Sequence, residues 1–224
     1  ETRLQGTTDC RPYPLLAAYH AHIGALLRAG RFEEADACID DAMSAMRGYA
    51  LGEAHLHSLR VRQELRQDDV EAARTQLNDV MERAERLPHG LHRSHLALLR
   101  AEVALRSNDP DTAHTWMARA HQNARETGHR GNQVQALLTQ VRAAAEQDAL
   151  DTAHKHLRSA ESFSDYRSVL PFAAVWSASE AALSAAHATR HPTADTQTTH
   201  HAVQQYMQAH TTFQCCGDPL RAAQ

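Results

Sequence analysis

The chain has 224 residues, 42% hydrophobic, 22% charged and 5% aromatic, with a net charge of −4 when its histidines are neutral. That acidic balance excludes the basic footprint of a general nucleic-acid binder. No apolar run approaches the roughly 18 residues that span a bilayer. Only 9 Gly and 7 Pro interrupt a sequence rich in Ala, Leu, Gln, Glu and Arg, which favours helix.

Residues 1–14 read as an N-terminal extension with no apolar segment of signal-peptide type. The first residue is Glu1 rather than Met, so a segment of a longer protein is expected. Residues 15–165 read as four helix pairs, each a helix A, a tight turn and a helix B. The first pair is Leu15–Ala29 and Phe32–Met46 around Gly30-Arg31. The second is Gly52–Arg66 and Asp69–Leu87 around Gln67-Asp68, stopped by Pro88-His89-Gly90. The third places helix A over Leu91–Arg106. Asp109 is then a good N-cap and Pro110 a good first residue for a helix B running to about Thr127, with Gly128 as its C-terminal cap. The fourth is Arg130–Glu146 and Leu150–Phe163. Residues 166–224 form an irregular fifth pair: a helix over Pro171–Ala188, a Thr- and His-rich linker over 189–199, a helix over His200–Cys215, and a further start at Leu220–Gln224.

These pairs repeat. Asp111-Thr112-Ala113-His114 returns as Asp151-Thr152-Ala153-His154, and Ala35, Ala73, Ala113 and Ala153 are spaced 38, 40 and 40 residues apart. A fixed period in this range marks a solenoid of helix pairs. Four residues after each alanine comes a larger apolar residue, Ile39, Leu77, Met117 or Leu157. Three before it stands Phe32, Val70, Pro110 or Leu150. This is the stripe of a packed amphipathic helix, whose alanine lets helix A of the same unit approach. The expected fold is all-α, a right-handed superhelix of about five helix pairs.

Gly30-Arg31-Phe32-Glu33-Glu34-Ala35 resembles the tetratricopeptide repeat, although the period is longer than that family's 34 residues. The runs from Leu98-Leu99 through Asp109 to Ala113, and from Leu137-Leu138 through Asp148 to Ala153, look like the repeat domain of large ATP-dependent LuxR-type transcriptional activators. That resemblance implies a domain that senses an inducer and restrains a DNA-binding output elsewhere in the protein. No phosphate-binding loop of the Walker A type and no evident helix-turn-helix occurs in these residues.

In a tetratricopeptide-like solenoid helix A lines the concave surface. Its outward positions are then His20 and Arg28, then His55, Ser58, Arg62 and Arg66, then His95, Glu102 and Arg106, then Gln135, Arg142 and Glu146. Arg28, His55, Arg62, Arg66, His95, Glu102, Arg106 and Arg142 are the candidate binding residues. Arginine presents a rigid fork of donors that suits carboxylate or phosphate. The other reading is a solvated face, paired with acids of helix B such as Glu71, Glu82 or Asp151. Arg60, Arg100 and Gln140 occupy equivalent positions that the family fills with apolar residues, so either helix A is rotated or they join the groove.

The chain has 17 histidines, and of the candidate pairs His20/His22, His55/His57, His92/His95, His154/His156 and His187/His191, only His92/His95 and His187/His191 have the spacing that puts two imidazoles on one helical face. No His-Glu-x-x-His arrangement accompanies them, so surface histidines without metal or other cofactor are expected. Cys10, Cys38, Cys215 and Cys216 make neither a disulfide framework nor a Cys-x-x-Cys knuckle, which fits a reducing cytoplasm. With no nucleophile–base–oxyanion constellation, catalysis is not expected. The expected function is a non-enzymatic sensor or protein-interaction domain of a bacterial signalling or transcription regulator. It would bind a peptide, a partner protein or a small anionic effector, without touching nucleic acid or membrane. Two alternatives stand beside it, a free-standing scaffold and a regulatory domain attached to a cyclase or kinase. Self-association is left open.

Overall fold

The structure, a computed structural model, describes residues 12–84, 90–190 and 196–215. The chain forms two compact units, Glu1–Pro88 and His89–Gln224. Among the described residues all regular structure is helical, and no helix is long and apolar enough to cross a membrane.

The first unit holds α1 (Pro12–Arg28), α2 (Phe32–Ala45), α3 (Ala50–Arg66) and α4 (Val70–Ala84). The second holds α5 (Gly90–Arg106), α6 (Pro110–Glu126), α7 (Arg130–Glu146), α8 (Leu150–Glu161), a 3-10 helix (Ser164–Ser168), α9 (Leu170–Arg190) and α10 (Thr196–Cys215). Within each unit, helix A of a pair packs on its own helix B and on helix A of the next pair. Thus α1 meets α2 and α3, α5 meets α6 and α7, and α7 meets α8 and α9.

One turn closes every regular pair. Gly30, Asp68, Asn108 and Asp148 each take the left-handed conformation, with φ of 71°, 62°, 56° and 57°. The next amide donates five residues back: Arg31 to Leu26 O at 3.0 Å, Asp69 to Glu64 O at 3.0 Å, Asp109 to Ala104 O at 2.9 Å and Ala149 to Ala144 O at 2.8 Å. This is a Schellman ending, which satisfies carbonyls that the helix leaves open. The following helix begins at once. Asp69 and Asp109 cap it, accepting from the amides of Ala72 at 2.9 Å and Thr112 at 3.1 Å. Five residues after each left-handed position comes the recurrent alanine. All four alanines are fully buried, as are Ile39, Leu77 and Met117 one turn on, while Leu157 is half-buried. Burying each larger side chain contributes about 1.5–3 kcal/mol, and the alanine keeps the two helices close enough for that contact.

Three features depart from the sequence expectation. The connection from α8 to α9 is a 3-10 helix whose Tyr166 ring meets Phe172 edge-on, centroids 5.0 Å apart. Arg130 of α7 covers this aromatic step, 5.5 Å from the Phe163 ring and 5.7 Å from Tyr166, and pairs with Asp165 at 3.0 Å. The ring of Phe172 comes so near α7 that a Cβ on Gly131 would lie 3.3 Å from it. Second, helix extends into both ends of the expected linker over 189–199. The alanine-rich α9 runs on to Arg190, with the Thr189 hydroxyl bonded back to Ala186 O at 2.8 Å, and α10 starts at Thr196. Third, Ser58 is buried rather than facing a groove, because its short hydroxyl bonds the His55 carbonyl at 2.6 Å within the same helix. The expected start at Leu220–Gln224 lies outside the described residues. Trp176 of α9 is buried against α7 beside Val134, Leu137 and Leu138.

Candidate functional site

The second unit contains a cleft of about 630 Å³ walled by α5, α7, α9 and α10. That volume falls within the range of small-ligand sites, roughly 300–1,000 Å³. Helical periodicity builds each wall. Leu98, Glu102, Leu105 and Arg106 share one face of α5, and Gln135, Thr139, Arg142 and Glu146 share one face of α7. The α9 side is mostly small and apolar, with Thr189 at its end, whereas α10 adds one aromatic and one imidazole side chain. Val175, Ala178, Ala182, Ala185 and Ala186 line the cleft from α9, while Tyr206, Ala209 and His210 come from α10. Asp148, in the α7–α8 turn, stands at the rim and its Oδ2 lies 3.8 Å from Arg190 Nε.

The cleft therefore combines a mostly apolar α9 wall with two half-buried guanidinium groups, Arg106 and Arg142. Arg142 makes no ion pair among the described residues. Three carboxylates, Glu102, Glu146 and Asp148, border the same space. A ligand with an apolar body and both an acidic and a basic group matches this lining better than a simple polyanion does. Flanking alanines on α9 allow close approach, since a methyl projects little from the helix surface.

Of the sequence-derived candidates, Glu102, Arg106 and Arg142 come together in this cleft, along with Gln135 and Glu146. His95 lies half-buried near the start of α5 and does not line the cleft. Arg28, His55, Arg62 and Arg66 belong to the first unit and do not line this cleft. His20 Nδ1 lies 2.7 Å from His55 Nε2, with the ring centroids 4.8 Å apart. Burial holds the His20 imidazole below its usual value of 6.5, and the Arg62 and Arg28 charges push it further down. Arg66 Nη1 donates a long 3.4 Å bond to the Leu27 carbonyl, at the C-terminal end of α1 where a cation is favoured.

The positions left open by the repeat alignment also resolve. Arg60 reaches back to α2, its Nη2 2.5 Å from Asp40 Oδ1 and its Nε 4.0 Å from Asp36 Oδ1. Gln140 is buried and Arg100 half-buried. None of the three lines the cleft. The α9 and α10 contributions were missed, because those helices lie beyond the regular repeat. Their only signal in the sequence is the run of alanines at 178, 182 and 185–186, which recurs at helical spacing.

Among the described residues, no group of three or more His, Cys, Asp or Glu side chains could hold a metal ion. Cys38 is a half-buried free thiol. Burial, and then the charge of Asp41, raise its pKa, which makes it a poor nucleophile. No known protein family, curated sequence or solved structure matches the chain.

Proposed function

We propose that this chain is a non-enzymatic, tetratricopeptide-like binding domain whose ligand enters the cleft between α5, α7, α9 and α10. In this reading the helix pairs of each unit stack with a right-handed turn. The observation that carries the proposal is the juxtaposition of Arg106 and Arg142 with an alanine wall in one space of about 630 Å³. Carboxylate recognition by the guanidinium forks would orient the ligand, and the apolar wall would supply contact area. A short peptide with a free carboxylate fits this lining, and so does an amphipathic small acid. Domain architecture of this kind serves as the sensing or docking part of a larger cytoplasmic bacterial regulator, which is the resemblance that the repeats carry.

Selection of a random peptide display library on the immobilised protein tests the reading, with the Arg106→Ala/Arg142→Ala double variant as counter-selection. Peptides enriched on the wild type and lost on the variant, with acidic and apolar residues in common, are the expected outcome. Enrichment of the same peptides on both proteins would remove the cleft as the binding site.

A further inference from the structure

We propose that His154 and His187 form a two-imidazole site for a divalent late first-row metal ion, Zn²⁺ or Cu²⁺, where α8 packs against α9. The sequence pairs His187 with His191 by spacing. The structure instead brings it to His154, thirty-three residues away, with the two Nε2 atoms 3.4 Å apart. Two nitrogens bound at 2.0–2.1 Å to one tetrahedral ion lie about 3.3 Å from each other. The pair therefore already has the separation of two ligands on one metal. The rings meet edge-on at 63°, centroids 5.0 Å apart.

The tautomer is also set. His154 Nδ1 lies 2.8 Å from the Leu150 carbonyl oxygen, which can only accept. Nδ1 thus carries the proton, and Nε2 presents a lone pair towards His187. A backbone carbonyl holding the far ring nitrogen is the arrangement that orients metal-binding histidines. Coordination requires the Nε2 lone pair of each ring, so both imidazoles would bind as Nδ1–H tautomers, and a neutral pair then releases no net proton. Water, or a donor atom of another molecule, completes the coordination.

His20 and His55 lack these properties. Their nitrogens, 2.7 Å apart, are at hydrogen-bond rather than shared-ligand distance, and Arg62 and Arg28 would repel a cation there. Beside His187, by contrast, Arg190 is turned to Asp148.

Calorimetric titration of the intact chain with ZnCl₂ and with CuCl₂ at pH 7.5 tests the site. The wild type is compared with His154→Gln, His187→Gln, their double variant and His114→Gln. The expected result is one tightest event per chain, stronger for Cu²⁺ than for Zn²⁺. Each single variant should weaken it by about tenfold or more, the double variant no further, and His114→Gln should leave it unchanged. Equal binding by the wild type and the double variant overturns the proposal. A second readout does not depend on the variants folding. Substoichiometric Cu²⁺ should broaden the Hε1 resonances of His154 and His187 before those of other histidines, and first broadening elsewhere overturns the proposal equally.

Discussion

Asn108 holds in the third A–B turn the left-handed backbone that Gly30 holds in the first, φ 56° against 71°. A side chain is strained in that region, although Asn and Asp tolerate it better than other residues. Asn108→Gly should therefore stabilise the second unit by a few tenths to about 1 kcal/mol, and Asn108→Val should destabilise it by about 1–2 kcal/mol. Urea unfolding monitored at the helical band measures both. A lower midpoint for Asn108→Gly would contradict the shared turn.

Ala113 has no exposed surface and lies in the core with Met117, Ala101 and Ala104. An isobutyl group there has no space at a fixed interhelical distance. Ala113→Leu should cost about 1–3 kcal/mol through overpacking, whereas Ala118→Leu, on the exposed face of the same helix, should stay within about 0.5 kcal/mol. Equal midpoints for the two variants would mean that the recurrent alanine is not a contact.

Stability should fall as the solution is acidified through about pH 6.5. His20, His57, His121 and His156 all titrate below the usual histidine value, with burial the first cause in each. The Arg62 and Arg28 charges add to it at His20, Arg125 at His121, and His114 with Lys155 and His121 at His156. At His57 the Arg83 and Arg60 charges add to it, against Asp79 and Glu53. Below about 6.5 the unfolded chain then binds more protons than the folded one. The stabilisation is complete above that pH and drains away towards the lower folded values. Glu64, raised by burial and by Asp69 and Asp36, works in the opposite direction but nearer the carboxylate range. Thermal midpoints at pH 7.5 and 5.5 report the effect. His156→Gln should shrink the difference, and a midpoint that does not move would refute the assignment.

A ligand of the cleft should distinguish Arg106 from Arg62, which belong to different compact units. Arg106→Ala should weaken it by about 1.5–3 kcal/mol if the guanidinium makes a desolvated, charge-assisted bond. Arg62→Ala should leave it unchanged, and added salt should weaken the wild type through screening over about 8 Å. Isothermal titration with a selected peptide checks all three. Equal losses at both arginines would point to recognition outside the cleft.

The helices were legible wherever local chemistry set their ends. Asp109 and Pro110 start α6 as expected, Arg130–Glu146 is α7 to the residue, and the four alanines are buried. These features depend on hydrogen bonds and packing within one hairpin, so a short stretch of sequence records them. The cleft was only half legible. Glu102, Arg106 and Arg142 follow from helical register, but the facing wall on α9 and α10 depends on contacts between pairs, which leave no local mark. Arg60 misled for the same reason. Its partners Asp36 and Asp40 sit in the preceding pair, so a polar residue at an apolar position is an interhelical ion pair, not a groove residue.

The repeated Schellman turn has a consequence for how the chain folds as it is made. Its closing bonds reach five residues back, and the alanine that packs the hairpin follows five residues later. Once about forty residues have left the ribosome, a complete hairpin has all the contacts that define it. Such short-range wiring favours fast, sequential folding during synthesis. The α5–α7–α9–α10 cleft, whose walls come from three successive hairpins, is assembled last.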